Sequence, residues 1–177
     1  MTVILVKGIT GSGKTYVKGQ LPKQITTIDT DDLYYREYDK KPGPMKQVHK
    51  RVVKLLQNEI KRNKFVVITG NDIEGIQYDY IYFIKLINVA QAYKRLINRE
   101  LTKFRQIPVP DIQNMNAKDV NLFLRMTYKA GIDPLGVTFN DYKEKYESKL
   151  KKQDPATIIK TQTQIIDDII KKYSIID

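Results

Sequence analysis

Cysteine is absent from this 177-residue sequence. The chain therefore has no disulfides, no thiolate zinc ligands and no thiol nucleophile. Long apolar runs are also lacking, since none approaches the roughly 20 residues that a membrane span needs. The first residues lack the basic segment and the cleavage site of a signal peptide. These absences lead us to expect a cytoplasmic protein that does not associate with membranes.

Acidic residues are scarce relative to basic ones. The chain has 31 lysine and arginine residues against 20 aspartate and glutamate residues, which gives a net charge of +11. Such an excess favours a polyanionic partner, either a nucleotide or a nucleic acid. A lysine-rich composition bias is the alternative, because isoleucine, tyrosine and asparagine are plentiful too. The charge alone does not decide between these interpretations.

Short apolar runs alternate with helical patterns along the chain. This alternation predicts an α/β fold in three layers, with a five-stranded parallel sheet covered by helices on both faces. We find no repeats and expect a single domain over residues 1–177. The predicted strands are residues 2–6, 25–28, 65–68, 80–87 and 157–160. The predicted helices are residues 14–21, 45–62, 88–105, 117–130, 140–152 (a charged surface helix) and 163–173, with a turn at residues 133–136.

A glycine-rich segment follows the first predicted strand. Residues 8–15 read G-I-T-G-S-G-K-T and satisfy the pattern G-x-x-x-x-G-K-[ST] in full. The glycines let the backbone N–H groups surround a phosphate, and the following helix adds the positive end of its dipole. Lys14 would bridge the β and γ phosphates, and the Thr15 hydroxyl would ligate Mg²⁺. The motif thus predicts ATP or GTP binding by Gly8, Gly11, Ser12, Gly13, Lys14 and Thr15.

Three aspartates follow the second predicted strand, at Asp29, Asp31 and Asp32. Ligands bind at this edge of a doubly wound parallel sheet. A carboxylate there could accept the proton of an acceptor hydroxyl or hold Mg²⁺ through water. Alternatively, Asp31 could simply cap a helix that starts near Asp32. The preceding phosphate loop favours the functional interpretation.

With these two motifs the sequence resembles the small P-loop kinases, which include shikimate, gluconate and nucleoside monophosphate kinases, zeta toxins and polynucleotide 5′-hydroxyl kinases. Residues 28–34, I-D-T-D-D-L-Y, look like the polynucleotide-kinase form. The resemblance implies that Asp31 activates the acceptor hydroxyl. Asp29 is then a candidate ligand of Mg²⁺. The resemblance also implies a P-loop NTPase fold, with ATP and Mg²⁺ as cofactors.

A basic helix is predicted after the fourth strand. Its Arg95 and Arg99 are four residues apart and so share one helix face, with Arg105 at the helix end. In the kinase family an R-x-x-x-R helix forms a lid whose guanidinium groups neutralise the transferring phosphoryl group. The resemblance implies such a lid at about residues 88–115. A solvated basic face is the alternative interpretation.

The chain departs from the family at several points. The third strand ends at residues 69–72, T-G-N-D, without an aspartate directly on the apolar run, so Asp72 is the local candidate for a further Mg²⁺ carboxylate. The glycine triplet of shikimate kinases is missing, and residues 117–152 match nothing in the family.

We therefore expect a kinase that phosphorylates a hydroxyl on a nucleic-acid 5′ end, a nucleotide or a nucleoside. A nucleoside monophosphate or small-metabolite kinase is one alternative. A nucleotide-binding, nucleic-acid-associated ATPase without a small acceptor belongs to a different class and is the other.

Overall fold

The computed structural model describes residues 1–104, 106, 109–129 and 137–175. Arg105, at the predicted end of the basic helix, and the turn predicted at residues 133–136 lie outside the described residues. The described helices all fall short of the length and apolar character that a membrane crossing requires.

Five parallel strands form one sheet in the order β2-β3-β1-β4-β5. The central strand β1 (Thr2–Lys7) lies between β3 (Phe65–Thr69) and β4 (Tyr80–Ile84). The edges are β2 (Thr26–Asp29) and β5 (Ile158–Lys160). Both β1 and β3 are almost wholly apolar, as expected for parallel strands covered on both faces. The predicted five-stranded parallel sheet is confirmed.

The helices alternate with these strands. In the best-defined case, Val48, Val52, Leu56 and Ile60 repeat every four residues and form the buried face of one helix. The helix predicted from Asn88 to Arg105 instead leaves α-helical geometry after Arg99 and continues as a π-helical turn, Glu100–Phe104. The helices are α1 (Lys14–Gln20), α2 (Thr30–Lys40), α3 (Met45–Arg62), α4 (Val89–Arg99), α5 (Ala117–Lys129), α6 (Phe139–Lys151) and α7 (Gln162–Tyr173).

Helices cover both faces of the sheet. On one face, Val3 and Leu5 of β1 share a buried core with Val52 and Leu56 of α3. The other face packs against α7: the ring of Phe65 lies edge-on to Tyr173, with 5.4 Å between ring centroids. On that same face the Tyr82 hydroxyl donates to Asp168 of α7 at 3.4 Å. These contacts confirm the predicted three-layer α/β class.

The chain folds into two compact units. The first unit comprises Met1–Gly8, Gly13–Lys85 and Asp154–Asp177, and it contains the whole sheet with α1, α2, α3 and α7. The second comprises Ile9–Ser12 and Leu86–Gln153, and it contains α4, α5 and α6. The single domain and the lid at about residues 88–115 stay predictions.

Buried tyrosines lie in the core of the second unit. Tyr93 of α4 is fully buried, and its ring lies 5.6 Å from the ring of Phe139 and 5.7 Å from that of Tyr142. Its hydroxyl donates to the Asn121 side chain of α5 at 3.0 Å. Burial raises the pKa of Tyr93 to about 12, so this donor keeps its proton at neutral pH.

Candidate nucleotide-binding site

The last glycine of the phosphate-binding motif sets the start of α1. Gly13 is the N-cap residue with φ +90°, a left-handed conformation that glycine adopts without strain. A Cβ at this position would lie 1.8 Å from the side-chain nitrogen Nε2 of Gln162. Lys14 begins the helix, and its Nζ donates to the Gly8 carbonyl at 2.8 Å. Thr15 follows in the first turn with its side chain exposed.

Residues 9–12 of the motif pack within the second unit. The Ser12 amide donates to the Ile9 carbonyl at 3.1 Å and closes a tight turn, in which Ser12 is fully buried. Gly11 has φ +81°, and a Cβ there would lie 2.5 Å from the Ala92 carbonyl oxygen. Both the backbone angle and the neighbouring helix therefore require glycine at this position.

The loop has the chemistry of an anion site. Left-handed glycines before a helix allow backbone N–H groups to surround an anion, and the positive end of the helix dipole also favours negative charge. A Cβ at Gly11 or at Gly13 would clash with atoms that already lie beside the loop. The residues present thus fit the phosphates of a nucleotide.

Asp29 caps α2. Its Oδ1 accepts from the amides of Asp31 at 3.0 Å and Asp32 at 3.3 Å, and its Oδ2 accepts from the Thr69 hydroxyl at 3.0 Å. The alternative that Asp31 is the cap is therefore wrong, because α2 begins at Thr30, before Asp31. The Asp31 side chain is exposed in the first turn of the helix.

Thr30, directly after β2, forms a hydrogen bond with the segment that follows β3. It is buried, and its hydroxyl accepts from the Asn71 amide at 3.3 Å. Gly70 passes so close, with φ +136°, that a Cβ there would lie 1.9 Å from the same hydroxyl. Asp72 follows with its side chain exposed. Burial raises the pKa of Tyr78 to about 12, and the nearby Asp72 charge adds to that rise.

A hard divalent cation would find oxygen ligands in the first unit. The Thr15 hydroxyl and the Asp29 carboxylate are of the type that Mg²⁺ prefers. Within the described ranges, histidine, cysteine and carboxylate side chains form no group of three or more that could hold a metal. Both oxygen types suit Mg²⁺, which is commonly held by one or two carboxylates together with substrate phosphates.

The two predicted arginines lie on α4, four residues apart as predicted. Arg95 is exposed, whereas Arg99 forms an ion pair with Glu100 at 2.7 Å, its side chain 42% exposed. Both positive charges act to lower the pKa of Tyr142, although burial raises that pKa by more. The Arg99–Glu100 pair was not predicted. The lid role of the arginines stays a prediction.

Each unit contains an open cleft. One cleft of the first unit, about 390 Å³, lies along the edge strand β2 beside Asp29 and Lys18. The cleft of the second unit, about 330 Å³, is lined by residues 9 and 10 of the loop together with Arg99, Tyr142 and Lys145. Both are of the size that small-ligand sites have in proteins.

The sequence interpretation missed three side chains that form hydrogen bonds near predicted site residues: Thr30 and Thr69 in the first unit, and Tyr142 in the second. The hydroxyl of Tyr142 donates to the carbonyl of Thr10 in the loop at 2.6 Å. Helix α6, expected to lie at the surface, buries Tyr142 and Tyr146 on one face. The four-residue spacing of these tyrosines in a charged segment was the available signal.

A glycine-rich loop between β1 and α1 of a five-stranded parallel sheet defines a P-loop NTPase-like fold. No protein-family model and no curated protein matches the chain. Solved structures do resemble it in fold, at TM-scores below 0.5. They include a tunicamycin resistance protein of Deinococcus radiodurans (14% identity, 97% of this chain and 95% of that chain, TM-score 0.47).

Two further structures resemble the chain at a similar level. One is the TT1252 protein of Thermus thermophilus, with 14% identity, 97% of each chain covered and a TM-score of 0.48. The other is an uncharacterized protein of Eubacterium ventriosum, with 18% identity, 97% of this chain and 98% of that chain covered and a TM-score of 0.46. At these scores the comparisons assign neither a family nor an activity.

Proposed function

We propose that this chain is an ATP- and Mg²⁺-dependent phosphotransferase. The observation that carries the proposal is the glycine cradle between β1 and α1, where Gly11 and Gly13 have left-handed backbones and Lys14 begins the helix. Bound ATP would supply the phosphoryl group, and Mg²⁺ would neutralise charge on its oxygens. Thr15 and Asp29 would hold the metal ion, with Asp72 as a further candidate.

The side chains then take separate roles. Lys14 would bind the β and γ phosphates, together with the backbone N–H groups of the loop. Asp31 would orient an acceptor hydroxyl and accept its proton. The capping bonds of Asp29 support this division, because they leave the exposed Asp31 carboxylate without a part in starting α2. Arg95 and Arg99 would neutralise the transferring group.

We further propose a nucleic-acid 5′ end as the acceptor. Helix α3 carries six lysine and arginine residues against one glutamate. At ~3.6 residues per turn, four of its exposed lysines fall within an arc of roughly 80° and extend over about 22 Å. These residues are Lys46, Lys50, Lys54 and Lys61, and we refer to them as the α3 lysine stripe.

The α3 lysine stripe favours an extended polyanion over a free nucleotide. A mononucleotide presents few phosphates, whereas a strand backbone can contact each turn of the stripe and release a counterion at each contact. The opposite side of α3 is apolar and buried in the core, so the helix presents its cations to solvent in one fixed orientation. A composition bias alone would not need this arrangement.

Labelling with γ-phosphate-labelled ATP tests the proposed reaction. A 5′-hydroxyl oligonucleotide should accept label, whereas the same oligonucleotide with a 5′ phosphate should not. Label on a nucleoside monophosphate with none on oligonucleotides would move the assignment to a nucleotide kinase. Release of phosphate without any labelled acceptor would indicate an ATPase.

A salt titration tests the α3 lysine stripe. Single-strand binding, followed by fluorescence anisotropy, should weaken at least about tenfold between ~50 and ~200 mM salt. Replacing Lys50 and Lys54 by alanine should reduce the slope of log K against log salt by roughly 1.4, since each single-strand phosphate contact contributes ~0.7. The double alanine variant at Lys149 and Lys151 of α6 removes the same charge and should keep the wild-type slope. Equal slopes in the two variants would indicate that the α3 lysine stripe does not contact the phosphates of the strand.

A further inference from the structure

Helix α6 has a buried face inside a strongly charged sequence. The helix begins with a capping box, in which the Thr138 hydroxyl accepts from the Asp141 amide at 3.2 Å and the Asp141 carboxylate accepts from the Thr138 amide at 2.8 Å. The next residue, Tyr142, is 2% exposed. Its ring packs against that of Tyr93, so the side chain has little freedom to turn away.

The Tyr142 hydroxyl contacts the backbone of the phosphate loop. It donates to the Thr10 carbonyl at 2.6 Å. A loop that turns its N–H groups toward an anion turns carbonyl oxygens away from it, and these oxygens can accept hydrogen bonds from neighbouring side chains. Tyr142 supplies such a hydrogen bond.

Gly11 is enclosed by the same neighbours. A Cβ there would lie 3.3 Å from the Tyr142 hydroxyl oxygen and 2.5 Å from the Ala92 carbonyl oxygen of α4. The side chain of one helix and the backbone of another thus fix the path of residues 10 and 11.

Tyr142 stays protonated in this setting. Burial raises its pKa well above the ordinary value for tyrosine, and this rise outweighs the opposing effect of the Arg95 and Arg99 charges. A tyrosine remains an O–H donor at every pH below its pKa. The bond to Thr10 is therefore available throughout the neutral range.

We propose that Tyr142 is a positioning residue for nucleotide binding: its hydroxyl holds the Thr10 carbonyl outward, so that the N–H groups of the loop are already arranged for phosphate. The proposal rests on the ATP binding proposed above. Tyr142 acts through the backbone of the loop and need not touch the nucleotide. Its contribution is preorganisation, which strengthens binding by reducing the ordering that the ligand must impose.

Two single-atom substitutions in the same helix test this role. Tyr142→Phe removes only the hydroxyl. Tyr146→Phe is the matched control, because Tyr146 lies one turn further on, is also buried, and uses its hydroxyl to accept the Leu86 amide at 2.9 Å. We expect Tyr142→Phe to weaken ATP binding in a calorimetric titration by about tenfold, the effect of losing one buried hydrogen bond. The rate at saturating ATP should be retained, and Tyr146→Phe should bind within about twofold of wild type.

Amide hydrogen exchange without nucleotide gives a second readout. Tyr142→Phe should speed exchange at residues 9–13, and Tyr146→Phe should not, although both variants should lower the melting temperature to a similar extent. Wild-type ATP affinity and loop protection in Tyr142→Phe would overturn the positioning role. Equal losses in both variants would overturn it too, as they would indicate a general packing effect. Absence of ATP binding by the wild type would instead overturn the proposed function and this inference together.

Discussion

The two units of the chain hold their candidate site residues in different ways. In the first unit, Asp29 and Thr30 lie where β2 ends, and the hydroxyl of Thr69 and the amide of Asn71 bond to them from the end of β3. In the second unit, the arginines and Tyr142 lie on helices, where Arg99 pairs with Glu100 and the Tyr142 hydroxyl donates to the Thr10 carbonyl.

The difference separates two kinds of contribution. Groups at strand ends take their positions from the sheet, whose register a substitution at the surface does not change. Groups on the helices of the second unit depend on individual buried tyrosines and ion pairs, so single substitutions can loosen them. We therefore expect the first unit to govern the chemical step most strongly. The second unit should tune binding and charge neutralisation.

The largest expected effect is that of Lys14→Ala in the first unit. Removing the cation predicted at the β and γ phosphates should lower turnover by more than about a hundredfold. The melting temperature should stay near that of wild type. Lys18→Ala is the control: it removes a lysine one turn further along α1, 3.9 Å from the exposed Asp32 carboxylate, and should keep activity. Full activity of Lys14→Ala in a labelling assay would contradict the expectation that the first unit governs the chemical step.

Asp31→Asn should have the next largest effect. If Asp31 accepts the proton of the acceptor, its loss should lower turnover by about a hundredfold with ATP affinity unchanged. Stability should not change, because Asp29 caps the helix. Asp32→Asn, in the neighbouring exposed position, is the control and should remain active. Wild-type turnover of Asp31→Asn in steady-state kinetics would leave the acceptor base unassigned.

Arg99→Lys probes the second unit. Lysine keeps the charge but loses the planar fork that grips phosphate oxygens in pairs, so turnover should fall by roughly tenfold. Arg62→Lys on α3, which also alters an arginine paired with a glutamate (3.8 Å), should have no such effect. Steady-state rates at saturating ATP compare the two. An unchanged rate for Arg99→Lys would confine the catalytic groups to the first unit.

The smallest expected effect is on stability. Gly19 lies in α1, where an added methyl group would meet open space, so Gly19→Ala should raise the free energy of unfolding by ~0.5–1 kcal/mol. Gly75→Ala should lower it by about 1 kcal/mol, because Gly75 has φ +89°. Urea denaturation measures both. Activity should be unchanged in both variants. A lower free energy of unfolding in Gly19→Ala would contradict the placement of Gly19 in the helix α1.

Local patterns predicted most of the first unit. The bounds of α3 match the predicted residues 45–62, because apolar residues repeat with the helical period and form one buried face of the helix. The five strands were visible as short apolar runs. The cap of α2 was misassigned because Asp29 and Asp31 are equally suited to capping by type. The contact that fixes Asp29 comes from Thr69, 40 residues away in sequence.

The second unit was harder to predict for the same reason. Tyr142 belongs to a helix whose sequence is mostly charged, and its partner Thr10 lies 132 residues away. Hydrophobic periodicity cannot report a hydrogen bond of that range. The π-helical turn after Arg99 also lacks a local sequence signal that we could identify.

Calorimetric titration of Mg²⁺-ATP into the protein tests the central claim most directly, because every proposed role depends on nucleotide phosphates binding at residues 8–15. We expect one site per chain in the wild type and in Lys18→Ala, and an affinity at least about tenfold lower in Lys14→Ala, which loses a charge-assisted contact. Absence of binding by the wild type, or equal affinities in all three proteins, would contradict the account.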